Sequence, residues 1–271
     1  MTPHTTEPTP HRSRAFSLIE LLVVIAIIAF LIAMILYGTM KVRQTTLGMM
    51  CMSNERQIMA GWISYATDND GRYVAPDTNR HTWDWVRSVG ANLQYDPSTG
   101  FYAEKESALT EGKLFSYIGD TKVYRSPLDD TDRVRNYSLS AFLTDGEGTS
   151  DWGGPPQWQI ATISRIPKPA ETINLVVETD YRGHNINGWG ISPFNPDWID
   201  KLAVFDPGYF NFAFADGHTE RYKWAGTSYT VNETIEEAFS RHQTNVWYPG
   251  PDWDYVAARL FPGSRALYGD W

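Results

Sequence analysis

The stretch Ala15-Phe16-Ser17-Leu18-Ile19-Glu20-Leu21-Leu22-Val23-Val24-Ile25-Ala26-Ile27-Ile28-Ala29 decides the architecture. It opens an apolar run over residues 16–37 in which Glu20 is the single charged side chain. As a helix rising about 1.5 Å per residue, the run reaches about 33 Å, the thickness of a bilayer's hydrocarbon core. A secretory signal peptide has a shorter apolar region, roughly 7 to 15 residues, with a small-residue cleavage site behind it. Nothing resembling Ala-x-Ala follows this run, so the helix is expected to stay on the protein as a membrane anchor.

Residues 1–15 are polar, contain proline and end in Arg12-Ser13-Arg14-Ala15, directly before the apolar run. Basic charge at that end holds the leader on the cytoplasmic side. Glu20 is then the anomaly. An ionisable group a few residues into a lipid-facing helix costs a few kcal/mol unless something pairs with it. Its presence asks for a partner.

Residues 15–29 closely resemble the processing and methylation motif of type IV prepilins and type II secretion pseudopilins. The resemblance implies that a membrane prepilin peptidase cuts between Ala15 and Phe16, methylates the new amino group of Phe16 and leaves the helix attached. That family usually has Gly before the cut, where this chain has the small residue Ala15. Glu20 becomes the fifth mature residue. The resemblance gives it an assembly role, its carboxylate meeting the ammonium of a neighbouring Phe16 when helices bundle, which neutralises two charges away from water. The competing reading is a plain single-pass anchor carrying an incidental Glu20.

Beyond the run, Val42, Met49, Met52, Met59, Ile63 and Ala66 recur at spacings of three, four and seven, as do Ile58, Trp62 and Tyr65. This period predicts that the helix continues to about Ala66 with an amphipathic face. Gly38, Gly48 and Gly61 weaken it locally and make a kink near Gly38 or Gly48 an expectation. An antiparallel sheet is the simplest cover for the apolar stripe. The expected class is α+β, the pilin arrangement of a long helix packed on a sheet with long loops. The expected organisation is a leader at 1–15, a transmembrane and assembly helix at 16–37, an amphipathic extension at 38–66 and an extracytoplasmic domain at 67–271.

Three further patches are similar to a bacterial subfamily of large pseudopilin-like proteins. Cys51-Met52-Ser53-Asn54-Glu55-Arg56-Gln57 matches its Cys-x-Ser-Asn-x-x-Gln. Arg125-Ser126-Pro127-Leu128-Asp129 lies where that subfamily commonly has Cys-Pro-Ser-Asp, with Ser126 replacing the cysteine, so a shared disulfide is lost. Phe214-Ala215-Asp216-Gly217 resembles the end of its signature of His, nine residues, then Asp-Gly, and Asp206 occupies the His position.

Asp216-Gly217 also separates two strand-like runs, 209–215 and 218–224. A two-residue Asp-Gly link predicts a type I′ hairpin. In that register Phe210, Phe212 and Phe214 share a face with Thr219, Arg221 and Lys223, and Tyr209 and Asn211 share the other with Tyr222 and Trp224. With aromatics on both faces the hairpin is expected to be covered on both, with Trp189, Trp198 and the 247–253 tail available to cover it.

The whole chain has 271 residues, a formal charge of −9, 11 Trp and one cysteine, Cys51. A general nucleic-acid binder needs a basic face to displace phosphate counterions, so nucleic acid is not an expected partner. One cysteine allows neither an intrachain disulfide nor a cysteine-based zinc site. Asp68-Asn69-Asp70-Gly71 offers oxygen ligands of the kind Ca²⁺ takes, and some pseudopilins hold calcium in a loop, but the EF-hand spacing fails because its first position falls on Ala66. Asp206, Asp216 and His218 form a second metal or polar candidate if the preceding loop folds back on the hairpin turn. Turn chemistry is the alternative for both groups. No other cofactor is expected.

His81, His184, His218 and His242 lie outside the leader, and none sits in a nucleophile elbow or an H-E-x-x-H helix, so no enzyme activity is read. Trp83-Asp84-Trp85, Trp152, Trp158 and Trp247-Tyr248 could stack on sugar rings, with core burial as the alternative. The expected function is therefore a structural pilin-like or pseudopilin subunit in the bacterial inner membrane, leader in the cytoplasm and domain in the periplasm or outside, then in a filament. Its expected partners are prepilin peptidase, other subunits through the N-terminal helix, and the membrane. The alternative is a membrane-tethered carbohydrate-binding or other ligand-binding domain.

Overall fold

The computed structural model describes residues 17–144, 160–180, 182–206, 208–231, 233–240 and 245–260. The chain divides into two compact units, Met1–Thr45 and Thr46–Trp271. One helix, α1 (Leu18–Asp68), runs unbroken through the boundary, including Gly38, Gly48 and Gly61. It continues two residues past the expected end at Ala66 before Asp70 and Gly71, at φ 54° and 79°, turn the chain out of the helix. There the N–H groups of Asn69 and Gly71 both donate to the Ala66 carbonyl, capping one of the carbonyls that the last turn leaves open.

In the first unit every described apolar side chain from Leu18 to Val42 faces outward. The most apolar 18-residue window of α1 has a mean hydropathy of 3.2, and none of it is buried. Such a surface is unfavourable in water by roughly 25 cal/mol per Å² of apolar area, so by length and composition this segment suits a membrane.

The second unit follows as β1 (Leu93–Asp96), β2 (Phe101–Glu104), α2 (Glu106–Thr110), α3 (Phe115–Ile118), β3 (Tyr137–Leu139), β4 (Ile173–Val177), β5 (Asp197–Trp198), β6 (Tyr209–Phe214), β7 (Thr219–Lys223), α4 (Ile235–Ser240), β8 (Val246–Trp247) and α5 (Pro251–Leu260). The main sheet has four antiparallel strands in the order β3-β4-β6-β7, and β1-β2 and β5-β8 are separate antiparallel pairs. This is the α+β class expected, a long apolar helix followed by antiparallel sheets.

Strands β3 and β4 and most of β6 are buried on both faces, while β7 at the sheet edge is only half-covered, with Glu220 and Lys223 exposed. One face, through Tyr137, Leu139, Leu175, Val177 and Ala213, packs on Ile58, Met59, Trp62 and Ala66 of α1. The other, through Ile173, Val176, Phe210, Phe212 and Phe214, packs under Trp189, Trp198, α4, Tyr248 and α5. A bulge between Ile173 and Leu175 resets the alternation in β4. It lets Asn174, whose side chain reaches the Met59 sulfur at 3.6 Å, and Leu175 both serve the α1 face. Burying an aromatic or aliphatic side chain contributes about 1.5–3 kcal/mol, and Trp62, Trp85, Trp189 and Trp198 are all fully buried.

Two details differ from the sequence expectation. The buried stripe of α1 is Gly48, Cys51, Glu55, Ile58, Met59, Gly61, Trp62 and Ala66, while Val42 and Met49 are exposed. Helical spacing holds, but the face is set by close approach. A Cβ on Gly61 would lie 3.0 Å from the Ile118 side chain.

The hairpin is also longer by one residue. Phe214 pairs with His218, since each end is closed by backbone bonds from Phe214 N to His218 O and from Gly217 N to Phe214 O, both 2.9 Å. Gly217 has φ 94°, whereas Asp216 keeps negative φ, so the loop is a turn over Ala215-Asp216 followed by a left-handed glycine, and the type I′ expectation is corrected. The extra residue slips β7 by one and exchanges its faces. Phe210 is opposite Tyr222 and Phe212 opposite Glu220, so Tyr222 and Trp224 join the phenylalanine face, and Arg221 and Lys223 join Asn211 and Tyr209.

Candidate functional site

The apolar run begins at a reciprocal cap. Ser17 N donates to Glu20 Oε2 at 2.9 Å, and Glu20 N donates to Ser17 Oγ at 3.2 Å. This is the Ser-x-x-Glu capping box, which satisfies two of the N–H groups that a helix leaves open at its start. Glu20 is solvent-facing, so its second carboxylate oxygen can meet a cation from outside the chain. Ala15 and Phe16, the expected cleavage and methylation residues, lie outside the described residues.

The two candidate metal groups are not assembled. Asp68 accepts from the Tyr117 hydroxyl at 3.2 Å, and Asp70 is an exposed turn residue with φ 54°. Asp206 is ion-paired with Arg221 and bridges back to Tyr209 at the open end of the β6-β7 hairpin. Asp216 and His218 are at the opposite, turn end, where Asp216 Oδ1 accepts from His218 N at 3.0 Å and meets His218 Nδ1 at 2.6 Å. The separation follows from strand length: β6 and β7 run between them. Among the described residues no group of three or more His, Cys, Asp or Glu side chains is arranged to hold a metal.

Of the tryptophans offered as a sugar platform, Trp85 is buried under the Arg135 guanidinium and Trp83 is half-buried and stacked on His81. Tyr248 is buried, Trp247 is exposed, and Trp152 and Trp158, like His242, lie outside the described residues.

The structure instead concentrates charge where sequence pattern gave no signal. Glu55 is buried in α1 with neither carboxylate oxygen hydrogen-bonded, and burial holds its carboxyl well above the ordinary range. Burial, then the charges of Asp200 and Asp180, pushes Glu178 well up, and burial with the Asp180 charge pushes Asp200 up to about 8. Arg135 and Glu104 form a buried fork, with Nη2 to Oε1 at 2.7 Å and Nε to Oε2 at 3.1 Å. Each group comes from a segment distant in sequence from its neighbours, so no local motif marks them.

Residues 10–36 match the family model described as the prokaryotic N-terminal methylation motif. No curated protein and no solved structure matches the chain. The match spans the basic end of the leader, Ala15, Phe16, Glu20 and most of the exposed apolar helix. This segment therefore carries the type IV prepilin-like signature.

Proposed function

We propose that the chain is a structural subunit of a type IV pilus-like or type II secretion pseudopilus filament. The methylation motif at residues 10–36 carries this reading, because it ends in an exposed apolar helix whose one acid is Glu20. In this scheme prepilin peptidase cuts between Ala15 and Phe16 and methylates the Phe16 nitrogen. The helix holds the protein in the inner membrane as a single pass, domain outward, until subunits bundle. On extraction from the bilayer each exposed helix must find apolar neighbours, and a bundle of identical helices supplies them. Glu20 then meets the ammonium of a neighbouring subunit's first residue, so the two charges are desolvated together. The capping box supports that role: it fixes Glu20 at the helix start, beside the segment where the amine is generated.

The test is the mass of the mature N-terminus in a host with prepilin peptidase. A monomethylated Phe16 is expected. A chain that keeps Met1 beside an active peptidase overturns the reading.

A further inference from the structure

We infer that a cleft beside the β1-β2 hairpin is a binding site for a neutral saccharide. The cleft holds about 310 Å³, near the lower bound of ligand pockets, and lies between the hairpin, residues 131–135 and residues 183–184. Its rim carries Tyr102, about half exposed and edge-on to the equally exposed Tyr95, with ring centroids 5.3 Å apart. These two rings are an unusual exposure for a sheet face, and an aromatic plane beside polar groups suits the apolar face of a pyranose ring.

The polar lining is built rather than incidental. The Arg135–Glu104 fork forms part of it, and Arg135 donates further to the carbonyls of Tyr137 and Asn185, at 2.8 and 2.6 Å. A buried ion pair contributes little net stability over an apolar pair of the same volume, so its placement in a cleft wall calls for a role beyond stability. The wall at 183–184 is drawn onto β2: His184 Nδ1 donates to the Tyr102 carbonyl at 2.7 Å. Gly183, at φ 94°, passes so close that a Cβ there would sit 2.7 Å from that same carbonyl oxygen. Because Nδ1 carries the proton, Nε2 of the neutral ring is an acceptor.

The lining therefore offers acceptors in His184 Nε2, the Asp132 carboxylate and the Asp96 oxygen not bonded to Ser98, and donor capacity in the Arg133 N–H groups beyond those given to Asn185 Oδ1 and the Asp180 carbonyl. Asp132 is exposed and, among the described residues, makes no hydrogen bond or ion pair. A cationic ligand would meet Arg133, and an anion would meet Asp132 and Asp96. A polyhydroxylated neutral ligand uses both kinds of group, since each hydroxyl donates and accepts, and its ring face takes Tyr102.

The experiment uses the full chain in a phosphocholine detergent, which has no sugar headgroup to compete. Soluble gluco-, xylo-, manno- and chito-oligosaccharides are titrated by calorimetry, with an oligolysine peptide and an oligoglutamate peptide as the charged arms. Saturable binding of at least one oligosaccharide is expected. Tyr102→Ala and Asp132→Asn should each weaken it at least about tenfold, while Tyr102→Phe, which keeps the ring, and Trp247→Ala, remote from the cleft, leave it unchanged. Circular dichroism checks that each variant is folded. Binding of none of the four oligosaccharides, binding of a charged peptide in preference, or sugar binding indifferent to Tyr102→Ala and Asp132→Asn overturns the inference. None of these results bears on N-terminal processing, so the filament reading is tested separately.

Discussion

The Cys51 thiol and the Ser126 hydroxyl meet at 2.7 Å in a buried contact that ties α1 to the segment before β3. Around them Asn54 Nδ2 donates to the Arg125 carbonyl at 3.0 Å, Ser126 N donates to Asn136 Oδ1 at 2.8 Å, and the Tyr137 hydroxyl donates to the Cys51 carbonyl at 3.4 Å. The serine holds Cys51 by a hydrogen bond where a second cysteine would make a covalent link. Burial pushes the Cys51 thiol up, which leaves it protonated and unreactive at neutral pH.

Ser126→Cys is accordingly expected to form a disulfide with Cys51 under oxidising conditions. The two side-chain atoms are already adjacent, and a shift of about half an ångström closes them to S–S bonding distance. Cross-linking positions 75 residues apart in sequence constrains the unfolded chain, a gain of about 2–4 kcal/mol. The check is loss of both free thiols together with a higher urea midpoint that falls back on reduction. Free thiols that persist in the oxidised variant would show that the backbones are too far apart.

Glu55 should behave as a destabilising residue in the fold. Its carboxylate lies in the α1 seam near Cys51 and Tyr137 with no hydrogen-bond partner, so it is held protonated at a cost. Glu55→Met keeps the volume and removes the polar group, and is expected to stabilise the domain by about 1–3 kcal/mol at neutral pH. Its folded pKa lies above its ordinary value, so the acid's contribution is complete at low pH and is lost as pH rises above about 4.5. The gain from Glu55→Met therefore grows from acid to neutral pH in denaturant melts. A variant less stable than the parent at neutral pH would assign Glu55 a partner role instead.

These contrasts locate what the sequence made readable. The membrane segment was legible because a lipid-spanning helix is a one-dimensional pattern: length, apolarity and a single Glu20 are all local. The β6-β7 hairpin was legible in existence from Asp216-Gly217, but its loop length was not. The pair fits both a two-residue turn and the last positions of a three-residue one, and only the sign of φ at Asp216 separates them. Glu55 and Gly48 hid the true buried stripe because neither is apolar. The saccharide cleft draws on β1, β2, residues 131–135 and His184, which the fold brings together from loops without periodicity.

Glu178 and Asp200 give the domain a pH signature of their own. Burial, then the Asp200 and Asp180 charges, raises Glu178, while Asp200 rises to about 8 with the Gly190 N–H opposing at 3.0 Å. Both shifts are upward, so the folded state binds more protons than the unfolded one between about pH 4 and pH 8. The pair's stabilisation is present at the acid end and is lost as pH rises through that window. Glu178→Gln removes one acid and its repulsion, so the parent should lose stability relative to the variant as pH rises. Urea midpoints measured across the window test this, and a constant difference would mean that the fold does not raise the Glu178 carboxyl.

Glu20 has two tasks that a single substitution can separate. Within its own chain it accepts from Ser17 N, and in the proposed filament it neutralises the ammonium of a neighbour. Glu20→Gln keeps an acceptor for the cap, since Gln serves in a capping box, but removes the charge. Glu20→Ala removes both, at about 1 kcal/mol to the helix start. If the charge matters, both variants should be cut and methylated like the parent yet fail to enter filaments, measured as subunit recovered in sheared surface fractions. If only the cap matters, Glu20→Gln assembles normally and Glu20→Ala does not. The first outcome is expected, because the cap is worth about 1 kcal/mol whereas an unpaired ammonium among packed apolar helices costs several.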